Sequence, residues 1–528
     1  MGNFTRKLRL TDSSIRAHIF FFIVFGLFVK ESGAQPLFQK TYGSAALDYG
    51  EVVRCTPDGY AVAGSTQSGA NGSFDFFLIR TDSLGDTLWA RKYGTAAQER
   101  LSCMEYTNDG GFILGGYANA NMYLMKTSAT GALMWSYQYA GNGFESITDI
   151  EPTSDGGYVI AGLSDQSLAS PRMECIVLKI TGTGVVQWTN HYAMNAYNYA
   201  LATGIKECAA GGFIIAGHML LSPSTQVPFL LRLNSNGTVA WCNSYSGSLA
   251  AVSNDVFELP NGNFVFTGTG AVAMSSNHWV VQLTTVSASG NFLWCEMYGD
   301  TSSDLYIGEA ALYENMLCFS GERSVNGNPG YLMKCDTSGT LIYAMEYGQD
   351  VRALFSCAVT TDGGCVASGL VKYAPAANDS ASIVVFKTDI SGNGPCGNIP
   401  LSMVLSSATL TVTSISPTAA PGVTIQAGPA QVGSGTVVLD GCLVGMAEPV
   451  LTPSVIYPNP GSGIFTVTYD YQWGDELILF NVQGQEIRRV QVRGPQEEIS
   501  IAEFSSGIYM YHIVRENRVL SSGRIVKE

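Results

Sequence analysis

Asp109-Gly110-Gly111-Phe112-Ile113-Leu114-Gly115, followed by Tyr123-Leu124-Met125-Lys126, Gly131, Trp135, Tyr139 and Gly141, is a unit that recurs about every fifty residues. Short apolar runs at such a period mark a propeller or a solenoid. Its opening turn recurs as Asp58-Gly59-Tyr60, Asp155-Gly156-Gly157-Tyr158 and Asp362-Gly363-Gly364. Degraded copies stand at Gly211-Gly212-Phe213, Asn261-Gly262-Asn263-Phe264 and Glu314-Asn315, for seven in all. Asp-Gly and Asn-Gly between apolar runs are strong hairpin signals, because these turns need positive φ.

After each turn a strand ends at glycine: Gly64, Gly115, Gly162, Gly217, Gly268, Gly321 and Gly369. A third strand carries paired apolar residues, among them Leu78-Ile79, Leu124-Met125, Val177-Leu178, Leu230-Leu231, Val280-Val281, Leu332-Met333 and Val384-Val385. Neighbours on a strand face opposite ways, so each sheet is expected to be covered on both faces. The fourth strand carries Trp89, Trp135, Trp188, Trp241, Trp294 or Tyr343. The seventh copy lacks this strand, and Leu37-Phe38-Gln39-Lys40-Thr41-Tyr42-Gly43 reads like Leu88-Trp89-Ala90-Arg91-Lys92-Tyr93-Gly94. The expected fold is all-β: a seven-bladed β-propeller over 35–395, closed by the N-terminal strand, which would leave no open edge at the seam.

Residues 1–34 read as a secretory signal peptide: Arg6, Lys7, Arg9 and Arg16, then the apolar run Ile19 to Val29, then Ser32-Gly33-Ala34 before Gln35. That run is too short to span a bilayer, and no transmembrane segment is expected in the mature chain. Residues 1–34 hold five of the 28 Lys/Arg and two of the 43 Asp/Glu; the remainder has 23 basic and 41 acidic residues, a net −18. Such a surface disfavours nucleic acid and anionic membranes.

Exported chains form disulfides. Cys396 and Cys442 bracket one low-charge segment and are the favoured pair; Cys318 with Cys335 is a weaker one. Cys242 and Cys295 occupy equivalent positions on adjacent sheets, roughly 10 Å apart, too far to bridge. Residues 396–453 alternate Ser/Thr with apolar residues and carry Pro417, Pro421 and Pro429, which reads as an extended segment and linker, not a core-forming domain. Residues 454–528 have higher charge density and short alternating strands, the expectation being a small C-terminal β-sandwich.

This last region carries Tyr457-Pro458-Asn459-Pro460, then Asn481-Val482-Gln483-Gly484, then Ser506-Gly507-Ile508-Tyr509, then a basic strand ending in Lys527. In that order the motifs resemble the C-terminal sorting domain (type A) of the type IX secretion system, found on cargo of Bacteroidetes. The resemblance implies recognition by the type IX secretion machinery after Sec export, cleavage of the domain, and release or attachment at the cell surface. The repeat itself resembles the Asp-Gly-Gly-Tyr/Phe β-propeller repeats often joined to this domain, which says little about activity.

Candidate chemistry is sparse. Asp82-Ser83-Leu84-Gly85-Asp86-Thr87-Leu88-Trp89 reads as a capped turn. Asp48, Glu99 and Asp304 follow the Tyr-Gly pair near the start of a first strand, with Glu145 and Asp255 close to that spacing. These five either ring one mouth of a central channel, where they would hold calcium or a partner's basic side chain, or each caps local backbone N–H groups. His18, His191, His218, His278 and His512 lie at no metal-ligand spacing, and no metal site, cofactor or catalytic constellation is expected. The leading functional expectation is a non-catalytic, adhesin-like binding protein for an extracellular glycan or protein. The alternative is a propeller-based hydrolase or lyase acting on extracellular polysaccharide, with channel carboxylates as acid and base. A calcium titration followed by thermal melting separates the two readings of the acidic set: capping predicts no shift in melting temperature, and a ring site predicts a rise.

Overall fold

The structure is a computed structural model. It describes residues 36–43, 47–67, 73–95, 97–141, 143–165, 173–194, 199–222, 225–247, 251–271, 278–300, 302–325, 327–372, 381–414, 418–421, 424–427, 431–434, 437–440, 455–468, 471–472, 474–481, 486–515 and 518–528. The expected signal peptide and the 441–453 linker lie outside these residues. All regular structure among them is β.

Each repeat folds as an antiparallel meander. In the second, Glu99–Tyr106, Phe112–Ala118, Asn121–Thr127 and Leu133–Ala140 pair in sequence order. The sixth and seventh repeats merge into one nine-stranded sheet, because Leu341–Val359 runs through both without a break. The fourth strand of the last repeat is Phe38–Gly43, which pairs with Ala381–Lys387 in the register Thr41↔Val384 and Lys40↔Val385.

Sequence patterning explains the packing. On the third strands, adjacent apolar residues enter different cores. Leu78 packs with Tyr93, Leu114 and Met125, whereas Ile79 packs with Phe38, Tyr42, Ile383 and Val385. Seven such cores occur among the described residues of the repeats, each shared by two neighbouring repeats. One of them joins the seventh to the first. Each buried Leu or Ile contributes about 1.5–3 kcal/mol, so each repeat draws stabilisation from both neighbours.

A second contact recurs at the same places. The tyrosine of each Tyr-Gly or equivalent pair donates to the carbonyl of the turn glycine in the next repeat: Tyr93 to Gly131 at 2.6 Å, Tyr139 to Gly184 at 2.9 Å, Tyr192 to Gly237 at 2.6 Å. Tyr245 to Gly290, Tyr298 to Gly339 and Tyr347 to Gly392 continue the series at 2.9, 2.6 and 2.6 Å. Tyr42, in the N-terminal strand, donates to Gly85 of the first repeat at 2.5 Å and returns the series to its start. These glycines are left-handed, and side chains of the preceding repeat, an aromatic ring among them each time, lie within 3.4 Å of where a Cβ would stand.

The hairpin turns are held by buried cations. Asp109 Oδ1 accepts from Thr107, from Gly111 N–H at 3.0 Å and from Lys126 Nζ at 2.9 Å, and Lys179–Asp155 and Lys387–Asp362 repeat the pair at 2.9 and 3.0 Å. These bonds hold the Asp109 and Asp155 carboxyls at about 2, overcoming their partial burial.

Residues 398–440 form a strap that the alternating Ser/Thr pattern only half announces. Asn398–Pro400 pairs with the outer strand of the sixth repeat, Val404–Ser407 with the fifth, Thr411–Ser414 with the fourth and Thr418–Pro421 with the third. Thr424–Ala427, Gln431–Ser434 and Val437–Asp440 then pair with the second, first and seventh. The strap thus passes every repeat once, in reverse order. The segment is extended as expected, but it belongs with the repeats, because each outer strand presents an unpaired edge that one short strand covers. Cys396, just before the strap, is disulfide-bonded; its expected partner Cys442 lies outside the described residues. Cys318 and Cys335 enter different cores on opposite faces of their sheet, which removes that expected pair.

In the C-terminal region, a three-stranded sheet (Val455–Tyr457, Ile464–Thr468, Gln496–Ser500) and a four-stranded one (Glu486–Gln491, Glu476–Phe480, Gly507–Arg515, Arg518–Lys527) share one core of Phe465, Val467, Leu477, Leu479, Ile499, Tyr511 and Ile525.

A paired substitution tests the contact between repeats. At Gly131 (φ +74°) an added Cβ would stand 2.7 Å from the Trp89 ring, whereas at Gly156 (φ +80°) it meets nothing within 4 Å. Gly156→Ala therefore costs only backbone strain, about 1 kcal/mol, and Gly131→Ala costs about 1–3 kcal/mol more. Denaturant melts of the two variants decide it; equal losses would remove the contact from the account.

Candidate functional site

The first strands of neighbouring repeats pack side by side around an axial channel. Each carries a β-bulge, seen for example between Gly50 and Val52, Leu101 and Cys103, and Ile147 and Asp149. A bulge turns one extra side chain out of the sheet. The residues so displaced are Glu51, Ser102, Thr148, Thr203, Asn254, Gly308 and Phe355, one per repeat, and together they line a cavity of about 130 Å³.

The residue after the bulge ties strands together. Asp149 Oδ2 accepts from Ile205 N–H and Asp255 Oδ2 from Ala310 N–H, each at 2.8 Å, and Ser356 Oγ accepts from Val53 N–H at 3.0 Å. The last of these joins the seventh repeat to the first.

Below lies a charged layer around a second cavity of about 270 Å³. Arg54 donates to Glu105 at 2.9 Å and to Glu309 at 2.7 Å; Lys206 donates to Glu151 at 2.8 Å and stands 3.8 Å from Asp149. Two cations thus face Glu105, Asp149, Glu151, Asp255 and Glu309. Excess buried acid is relieved by protonation. Burial first, then the Glu309 charge, pushes Asp255 well above the carboxylate range; burial likewise raises Asp149 and Glu151. Glu51 is pushed up to about 8 by burial, which outweighs the Ser65 hydrogen bond and the Arg100 charge. About a fifth of its side chain stays exposed, at the lining of the smaller cavity.

At the mouth beyond this layer, a groove of about 630 Å³ runs across the third to sixth repeats. Phe257 and Leu312 are half-buried along it, beside Lys206. Its two carboxylates are engaged: Glu207 accepts from Ser154 N–H at 2.6 Å, and Glu258 from Ala209 N–H at 2.7 Å.

The acidic set expected from sequence separates. Of the five, Asp255 reaches the channel. Asp48 accepts from the Thr66 hydroxyl and Glu99 from that of Thr95. Glu145 accepts from Gly141 N–H at 3.0 Å, Gly143 N–H at 3.2 Å and Ser164 Oγ at 3.2 Å. Asp304 accepts from Trp279 N–H at 2.9 Å, stands 3.0 Å from His278 Nδ1, and is held below the carboxylate range by these bonds against its slight burial. Their positions at strand starts suit local capping. Arg54, Glu105, Asp149, Lys206 and Glu309, which do meet, lie at or beyond the bulges of their strands, and the bulge that aims them leaves no mark in a repeat alignment. Among the described residues no group of three or more His, Cys, Asp or Glu is arranged to hold a metal ion. His218 sits within the strand Phe213–Ser222, and burial pushes it down to about 4.

In the C-terminal region the sorting motifs converge on the last strand. Asn459 Oδ1 accepts from Val526 N–H at 2.8 Å and its Nδ2 donates to Arg524 C=O at 2.7 Å, so Asn459 extends the edge as a strand residue would. Tyr457, Pro458 and Pro460 flank it. Lys527 Nζ donates to the carbonyls of Ala502 and Phe504, and Tyr509 OH to Ser505 C=O at 2.6 Å, close to Gly507. Gly484 lies outside the described residues.

The raised carboxyls set a pH dependence. A carboxyl whose folded pKa lies above its unfolded value contributes most below the unfolded value, and that stability is lost as pH rises through the folded one. Thermal stability should fall as pH rises from about 4.5 to about 8 for Glu51, and Glu51→Gln should flatten that limb. Parallel melting curves for both proteins would contradict it.

Comparison with known proteins gives one family match: residues 455–528 fit the secretion system C-terminal sorting domain. Beta-agarase A of Zobellia galactanivorans is 29% identical over 69 residues, 13% of this chain and 13% of the agarase, so only about an eighth of that relative is spanned. Among solved structures, a protein of unknown function from Dyadobacter fermentans aligns with 67% of this chain and 99% of its own at 12% identity and TM-score 0.40. PorZ, an essential surface component of the type IX secretion system of Porphyromonas gingivalis, aligns with 93% of this chain and 100% of its own at 9% identity and TM-score 0.14. Among the described residues no helix is long and apolar enough to cross a membrane. Residues 455–528 are a type IX secretion sorting domain, and the chain that carries them is exported to the cell surface or the extracellular space.

Proposed function

We propose that this is an exported, non-catalytic binding protein: a seven-bladed β-propeller over residues 35–395, closed by its N-terminal strand, that holds an extracellular glycan or protein through one face. Residues 1–34 act as the signal peptide and 454–528 as a small sandwich for sorting. The shared cores and the returning tyrosine series support the propeller. Cys396 pairs with Cys442, which closes the strap covalently around it.

The groove at the channel mouth carries the binding reading. Its volume of about 630 Å³ is that of a ligand site, with an apolar floor at Phe257 and Leu312 and a charge at Lys206. A hydrolase or lyase acting on polysaccharide is the second reading, favoured by the proton-holding Asp255 beside Glu309 and by the short match to an agarase. The cavities at those carboxyls, about 130 and 270 Å³, are smaller than the groove and below the usual range of a ligand pocket, which weighs against it.

A glycan array probed with the mature chain, with a polysaccharide and peptide turnover panel beside it, tests the proposal. Binding should appear without turnover and weaken at least tenfold in Phe257→Ala. Turnover that is lost in Glu309→Gln would overturn it in favour of the second reading.

A further inference from the structure

Ten cysteines are free among the described residues, and three of them, Cys318, Cys357 and Cys365, cluster. Cys318 lies on Met316–Arg323, the second strand of the sixth repeat; Cys365 opens Cys365–Lys372, the second strand of the seventh. Both are fully buried in the core those repeats share. Their sulfurs stand 2.8 Å apart, inside the contact distance of unbonded sulfurs. Equivalent positions on adjacent sheets are too far apart to bridge, but these are not equivalent. Cys318 stands three residues before the strand-ending Gly321 and Cys365 four before Gly369, so the two side chains face each other across the same core. Cys357 is the third thiol nearby, and it donates to the Cys318 carbonyl at 3.4 Å.

We propose that Cys318 and Cys365 form a disulfide between the sixth and seventh repeats when the exported chain folds under oxidising conditions. The Cys365 thiolate attacks one sulfur of a disulfide oxidant, a protein or small-molecule disulfide met during export, and expels one oxidant thiolate. The Cys318 thiolate then attacks the Cys365 sulfur of that mixed disulfide and expels the second. The two cysteines lose two protons and two electrons, and the oxidant leaves as two thiols. Once the sheets have closed, Tyr343 OH donates to Cys365 Sγ at 3.3 Å, with Lys334 and Lys387 nearby. Burial shields the finished bond from reductants, so the step belongs to folding, before the two sheets close. The bond would fasten the three chain-continuous strands of the seventh repeat, whose fourth strand comes from the other end of the chain, to the sixth.

Peptide mapping of the full mature chain tests this without any variant having to fold. The protein is isolated without reductant, its free thiols are alkylated in denaturant, and it is digested. The expected product is one cross-linked pair carrying Cys318 and Cys365, lost on reduction. Cys318→Ser and Cys365→Ser should each lower the melting temperature by several degrees, and the oxidised wild type should fall to their level on reduction. Alkylated Cys318 and Cys365, or a bond from either to Cys357 or Cys335, would overturn the proposal.

Discussion

The hydrogen bond from each fourth-strand tyrosine to the turn glycine of the next repeat is the constraint on which the rest of the molecule depends. A phenol buried without a partner would cost about 1–3 kcal/mol, so each tyrosine requires a neighbour at one distance and angle. The glycine supplies both the carbonyl and, through its left-handed φ and missing Cβ, room for the aromatic ring that covers it. Seven such bonds follow one another until Tyr42 reaches Gly85. Because the sheets are apolar on both faces, a repeat that lost a neighbour would expose half of its buried surface.

The strap solves the complementary problem at the periphery. Outer strands with open edges are templates for aggregation, a hazard for a chain that crosses envelope compartments. One short strand per repeat is enough, and the intervening residues need only reach the next sheet. At the axis the same geometry crowds the first strands, and their bulges turn acids and bases inward. The result is an ion network in which burial pushes Asp149, Glu151 and Asp255 upward. It is suited to fixing the strands against one another.

Much of this architecture was legible in the residues. The Asp-Gly turns, the doubled apolar pairs such as Leu78-Ile79, and the likeness of residues 37–43 to 88–94 announced the meander, the two-faced sheets and the origin of the missing strand. The strap was half legible: its extended character showed in the Ser/Thr alternation, but its spacing of six or seven residues was masked by having no local partner. The channel was barely legible. Asp48, Glu99 and Asp304 stood at the regular spacing and Glu145 near it, and they cap their own surroundings, whereas Arg54, Glu105, Asp149, Lys206 and Glu309 meet only because bulges shift the facing by one residue. The partner of Cys318 was hidden for a similar reason, since facing across sheets is not a function of separation along the chain.

Backbone hydrogen exchange of the full mature chain tests the closed circle most directly. If the amino-terminal strand completes the seventh repeat, amides of residues 38–42 should exchange as slowly as those of 383–387 and 112–118, and lose protection together with them as denaturant rises. Exchange of 38–42 within seconds, while the other strands stay protected, would contradict it.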